Sequence, residues 1–257
     1  MTATTVATGW YVYGVVSADV DAAVVGQQAG VGSAPVRLLR SSGLAALVGL
    51  VPLDEFDEEG LRRNLEDRAW LEEQVRAHDR VLTAALAATT LVPLRFGAVY
   101  RTEEGVRRML ELRADELEAT LARLRGRVEL GVKAFVRRGE VDETARAASG
   151  REYLLRKQRA RQLEATADAR GVELALDVYE RLAALAEQAR ANPPQRPELS
   201  GRSERMLLNA AYLVAADEQE AFAAAVDRLR AEHEPDGIEL ELTGPWPPYN
   251  FAGDAAA

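Results

Sequence analysis

Two histidines, His78 and His233, are the side chains best placed by type for acid–base work in this 257-residue chain, because imidazole titrates near neutral pH. Each falls on the apolar stripe of an expected helix, where a buried histidine satisfied by one hydrogen bond is the ordinary outcome. Neither has a companion histidine at helical ligand spacing, so a zinc site has little support. The chain has no cysteine, which excludes a thiolate nucleophile, a thiolate metal site and a disulfide framework. Gly26, Gly30 and Gly32 in GQQAGVGSAP lack the glycine a dinucleotide fingerprint needs where Pro35 stands, and a strand rather than a helix follows. There is no GxxxxGK[ST] and no GxSxG. No catalytic residue, cofactor-binding residue or metal ligand is therefore assigned, and the expected cofactor set is none.

The absence of a catalytic constellation points to a protein that works by contact, and two segments stand out. Leu91–Tyr100 reads LVPLRFGAVY and Thr243–Phe251 reads TGPWPPYNF. Both combine proline with large aromatics and little charge, and arginine with aromatics is a common interface composition. The possible interaction residues are Pro93, Arg95, Phe96, Gly97 and Tyr100 in the first segment. In the second they are Trp246, Pro247, Pro248, Tyr249 and Phe251. Burial in the cores is the competing explanation for their aromatics. Prolines exclude helix and interior strand from TGPWPPYNF, so it is either a ligand for a partner or a strap across the protein's own core. The strap is favoured, because large aromatics gain most by burial. It is expected to cross the C-terminal lobe, with Trp246 largely buried, Tyr249 and Phe251 against helices, and Ala252–Ala257 loose.

The elements that must hold these segments follow from periodicity. GWYVYGVV at Gly9–Val16 reads as a strand and Asp19–Gln28 as a short helix. Val36–Arg40 and Leu44–Val51 flank Ser41-Ser42-Gly43 as a hairpin. One long helix carries Leu61, Leu65, Leu71, Val75, His78, Leu82 and Ala85, and Leu94–Tyr100 forms a strand after Pro93. The order β-α-β-β-α-β is ferredoxin-like. Thr102 caps a bridging helix with its stripe at Val106, Leu110, Leu117, Leu121 and Leu124. Alternation over Val128–Val136 gives a further strand. Ser149 and Glu152 form a capping box for a helix reaching about Asn192, with Gly171 on its buried stripe. Met206–Val214 is an apolar run that fits a central strand or a buried helix, length and polar flanks favouring the strand. A helix bearing Phe222, Val226, Leu229 and His233 then leads to a strand at Ile238–Leu242. The expected class is α+β with two lobes. Residues 1–125 form the ferredoxin-like lobe with its bridging helix, and 126–257 form a β-α-β-α-β lobe with long amphipathic helices.

A net charge of −9, from 41 acidic and 32 basic residues, disfavours nucleic acid as a partner. The basic cluster Arg151, Arg156, Lys157, Arg159 and Arg161 reads as a solvated helix face. The N-terminal residues carry no signal-peptide pattern and no apolar run is long enough to span a bilayer. A cytosolic protein without a lipid-membrane partner is expected.

Taken in order, GWYVYGVV, the Ala77–Tyr100 stretch, GREYLLRKQ, LNAAYLV and TGPWPPYNF resemble the gas vesicle protein F/L family (GvpF/GvpL) over nearly the whole chain. PLRFG and the terminal motif are the specific parts. The resemblance implies a non-enzymatic accessory protein of gas vesicle formation. It implies contacts with the small, hydrophobic major shell protein and with other accessory proteins, and an association with gas vesicles. A small-ligand sensor or enzyme on ferredoxin-like lobes is the rival reading, because fold does not fix function. A coiled-coil adaptor, self-associating through Leu174–Ala189, is the third.

Overall fold

The computed structural model describes residues 7–25, 29–136, 169–195, 202 and 204–253. The Ser149 cap, the GREYLLRKQ helix start and the basic cluster lie outside them. The chain divides into two compact units, one of Met1–Arg127 with Trp246–Ala257, the other of Val128–Pro245. The terminal segment, expected in the C-terminal lobe, thus belongs to the first unit from Trp246 onward.

In the first unit β1 (Thr8–Ser17), β2 (Arg37–Ser41), β3 (Leu44–Pro52) and β4 (Val92–Pro93) form a sheet in the order β2-β3-β1-β4, with β5 (Val99–Tyr100) also on β1. All of these pairings are antiparallel. Placing β3 between β1 and β2, with β4 outside β1, is the ferredoxin-like arrangement. The β2–β3 hairpin turns through Ser42 (φ 52°) and Gly43 (φ 76°), two successive positive φ values that match the right-handed twist of the strands.

Four expectations change in detail. The first helix is only a 3-10 turn, Ala22–Val25. The long helix starts late: α1 (Leu53–Phe56) and α2 (Glu58–Asn64) precede α3 (Arg68–Ala88), whose first turn Asp67 caps by accepting from the amides of Ala69 and Trp70. A local side-chain cap wins there over the continuing apolar stripe. The strand expected over Leu94–Tyr100 is broken by a turn at Phe96-Gly97, where Gly97 takes φ 92°, a conformation suited to glycine. The bridging helix is two helices, α4 (Glu103–Leu112) and α5 (Ala114–Leu124), parted at Arg113 (φ −112°, ψ 13°). Thr102 caps α4 as expected, its Oγ1 accepting from the Gly105 amide. The apolar stripe survives the break, with Val106, Leu110, Leu117, Leu121 and Leu124 all buried.

Strand alternation gives the sheet two apolar faces. Tyr11, Tyr13, Ala45 and Leu47 pack with Ala77, Val81, Leu82 and Ala85 of α3 in one core. Helices α4 and α5 pack on the same strands, and their buried stripe lies outside that core. Both faces are therefore covered.

In the second unit β6 (Arg127–Val136), β7 (Gln188–Ala191), β8 (Arg205–Ala215) and β9 (Ile238–Trp246) take the order β7-β8-β6-β9. Helix α6 (residues 169–183) and α7 (Gln219–His233) complete it. This is the strand order of the first unit repeated. The strand missing from the β-α-β-α-β reading is β7, which lies inside the stretch read as helix. Its sequence, QARA, has no β-branched residue, and its partner β8 specifies it through the pairs Gln188↔Leu213 to Ala191↔Ala210. Tertiary pairing overrides local propensity here. Leu130, Val132 and Ala134 of β6, Val178 and Leu182 of α6, Tyr212 and Val214 of β8, and Phe222 and Val226 of α7 build the core. Gly171 sits on the buried stripe, and a Cβ there would lie 2.9 Å from Leu207 Cδ1. The close approach is between helix and strand.

Candidate functional site

The two motifs converge on one side chain, His78. It lies on the inner face of α3 at 1% exposure, a position set by the spacing of Gln74, Ala77, His78, Val81, Leu82 and Ala85, all buried. The Tyr11 hydroxyl on β1 is 2.8 Å from His78 Nδ1. The Tyr249 hydroxyl in the terminal motif is 2.8 Å from His78 Nε2. Gly97 of the PLRFG motif donates its amide to the Tyr11 hydroxyl at 3.1 Å. In the neutral ring one nitrogen donates and the other accepts, so one of the two hydroxyls gives a proton to His78 and the other receives one. A backbone turn, a strand tyrosine, a helix histidine and a terminal tyrosine form one chain of hydrogen bonds.

Aromatic rings enclose this chain. Phe96 lies edge-on to both Tyr11 and His78, with ring centroids 6.0 Å away in each case. Tyr13 stacks on His78 at 5.6 Å and tilts against Tyr11 at 4.8 Å. The Tyr13 hydroxyl accepts from the Val31 amide at 2.8 Å, and Gln74 Oε1 accepts from the Gly32 amide at 2.8 Å. The glycine-rich loop after β1 is thus pinned to the same core and presents its amides inward. A Cβ on Gly30 would stand 2.1 Å from the Tyr13 hydroxyl. Gly30→Ala is expected to break the Tyr13–Val31 bond and cost about 1–3 kcal/mol, measurable by urea unfolding.

Burial lowers the His78 pKa to about 4, against a weaker opposing pull from a backbone hydrogen bond at Leu94. Burial also pushes the Tyr11 hydroxyl well above its ordinary value and that of Tyr13 to about 12. At neutral pH the group is an uncharged network, and neither tyrosine is a ready nucleophile. Its chemistry is that of a clasp.

The terminal segment is a strap, but not the one expected. Pro247 and Pro248 are buried, Phe251 is 6% exposed, and Tyr249 is half-buried against the α3 core. Trp246, expected to be largely buried, is 50% exposed. Ala252, expected to be loose, is buried. The peptide turns on itself, the Phe251 and Ala252 amides both donating to the Pro248 carbonyl. Arg123 of α5 donates to the Phe251 carbonyl at 2.8 Å. The strap therefore reaches both helical layers of the first unit. Trp246 is left out because it ends β9, and the buried part of the segment starts only with Pro247.

Among the other motif residues, Pro93 is buried on β4, Arg95 is exposed, and Phe96, Gly97 and Tyr100 are intermediate. Tyr11 and Gln74 were not singled out in the sequence. The available signal was Tyr11 and Tyr13 alternating on one strand face two residues apart.

The profile described as Gas vesicle synthesis protein GvpL/GvpF matches residues 9–253. The chain belongs to the GvpL/GvpF family. It is 42% identical over 233 residues to Gas vesicle protein L of Streptomyces sp. (strain CB03234), covering 88% of this chain and 86% of that one. Against Gas vesicle protein F of the same organism it is 30% identical over 258 residues, covering 94% and 98%. The crystal structure of GvpF from Anabaena sp. PCC7120 superposes with a TM-score of 0.66 at 23% identity, over 95% of this chain and 96% of that one. GvpF from Microcystis aeruginosa gives 0.67 at 21% identity, over 95% and 98%. At those identities the solved structures speak to fold, and they agree with the mixed α+β class of this family member.

Proposed function

We propose that this protein is a non-enzymatic assembly factor of gas vesicles that binds the small, hydrophobic shell protein and other accessory proteins in the cytosol. The observation that carries the reading is the family match over residues 9–253. The site supports it. Phe96, Gly97 and Tyr249 serve a neutral internal clasp, while Trp246 is half-exposed and Arg95 exposed. A shell subunit with a large apolar face must be shielded before assembly, and an acidic carrier keeps such a complex dispersed. Identity to the L protein of Streptomyces exceeds identity to its F protein, which favours an L-type member. No helix among the described residues is long and apolar enough to cross a membrane.

Deleting the gene is expected to abolish buoyant vesicles, and the tagged protein is expected to retain the shell protein on purification. Arg95→Ala combined with Trp246→Ala should lower that recovery with at most a few degrees' change in melting temperature. Normal vesicles in the deletion strain, with no co-purification from either tagged end, would overturn the reading.

A further inference from the structure

His233 ends α7 at 4% exposure, and its Nε2 has no hydrogen-bond partner. Buried polar atoms in this position are rare and call for an explanation. The nitrogen points toward carboxylates: Asp177 Oδ2 of α6 is 3.5 Å away, and Glu232 is adjacent in sequence. One donor atom from each of Asp177, Glu232 and His233 falls within 4.8 Å of the other two. Arg181, one helical turn after Asp177, pairs with both acids. It donates to Glu232 at 2.8 and 2.9 Å and to Asp177 at 3.2 Å. That ion pair accounts for the carboxylates but uses nothing of His233.

We propose that Asp177, Glu232 and His233 form a site for a first-row divalent cation of the zinc type, with Arg181 as the cation that occupies the carboxylates when the metal is absent. One imidazole nitrogen and two carboxylate oxygens are a borderline donor set, suited to zinc and its neighbours rather than to magnesium or calcium. With metal–ligand bonds of about 2.0–2.2 Å, tetrahedral donor atoms stand roughly 3.4 Å apart. The set must close by about an ångström. Asp177 and Glu232 are half-exposed and able to make that movement, whereas buried His233 is fixed. Water is the fourth ligand such a set calls for, and the bound ion ties α6 to the end of α7. A dication also balances the two carboxylates, which Arg181 alone does not.

The test is zinc chloride titration calorimetry on the full-length protein, with cobalt(II) visible absorption as a second readout. One equivalent of zinc is expected to bind. His233→Ala is expected to weaken binding at least tenfold, and Asp177→Asn serves the same purpose should that variant fail to fold. Arg181→Ala is expected to tighten binding about tenfold by removing the competitor, or about 1.4 kcal/mol. Zinc should then raise the melting temperature of Arg181→Ala more than that of the unsubstituted protein. Saturable binding absent from both the unsubstituted protein and Arg181→Ala would overturn the proposal. So would binding that survives both His233→Ala and Asp177→Asn.

Discussion

Phe251→Ala is expected to destabilise the protein by about 3–5 kcal/mol, the range for truncating a buried phenylalanine. Trp246→Ala, five residues earlier in the same motif, is expected to cost less than about 1 kcal/mol. The contrast follows from burial, since Phe251 is 6% exposed and Trp246 50%. Removing the Phe251 ring also loosens the turn whose carbonyl Arg123 holds, so the clasp at Tyr249 weakens with it. Urea unfolding followed at two wavelengths checks the order of the two variants. Equal losses would show that the exposed indole is as structural as the buried ring. The size of the effect rests on area removed from water and the cavity left behind, and needs no partner protein.

The second large effect is on pH dependence. The folded-state pKa of His78 is lowered to about 4 from an ordinary 6.5. Between those values the unfolded chain takes up a proton that the folded chain refuses, so the stability from this group is fully present above about pH 7. It falls away as the pH drops toward 4. A shift of that size corresponds to something on the order of 3 kcal/mol. Asp79, beside it on α3, works in the opposite sense, because burial raises its pKa and so favours the folded state as the carboxyl takes up its proton. Melting temperatures measured from pH 7.5 to 4.5 are expected to decline steeply for the unsubstituted protein and less steeply for His78→Gln. That variant should also start lower, since Tyr11 and Tyr249 lose a shared partner. Parallel curves for the two proteins would remove His78 from the account.

The strands that alternate cleanly were legible from the residues alone: Val128–Val136, Ile238–Leu242 and the hairpin around Ser42-Gly43 stand where periodicity puts them. So were the Thr102 cap and the burial of both histidines. What escaped was fixed by partners distant in sequence. QARA is a strand because β8 needs an edge, and nothing within those four residues announces it. The split at Arg113 leaves the stripe in phase on both sides, so the apolar pattern alone did not mark it. The clasp is the clearest case. Tyr249 and His78 are 171 positions apart and Tyr11 a further 67. Each had a sufficient local explanation as a strand, helix or strap residue, and only their coincidence in space makes a network.

The second unit, Val128–Pro245, lies in sequence between α5 and the residues that finish the first unit's core. A ribosome must therefore make the whole of that unit before it makes Tyr249 and Phe251. Until then His78 Nε2 lacks its phenol and Arg123 lacks its carbonyl, while the interposed unit already has every strand up to Pro245. The outer unit thus cannot close until its final peptide is made. A chain ended at Pro245 is then one that has the strands of the inserted unit but lacks the peptide that finishes the first core, and an open core of that kind is where a holding chaperone is recruited.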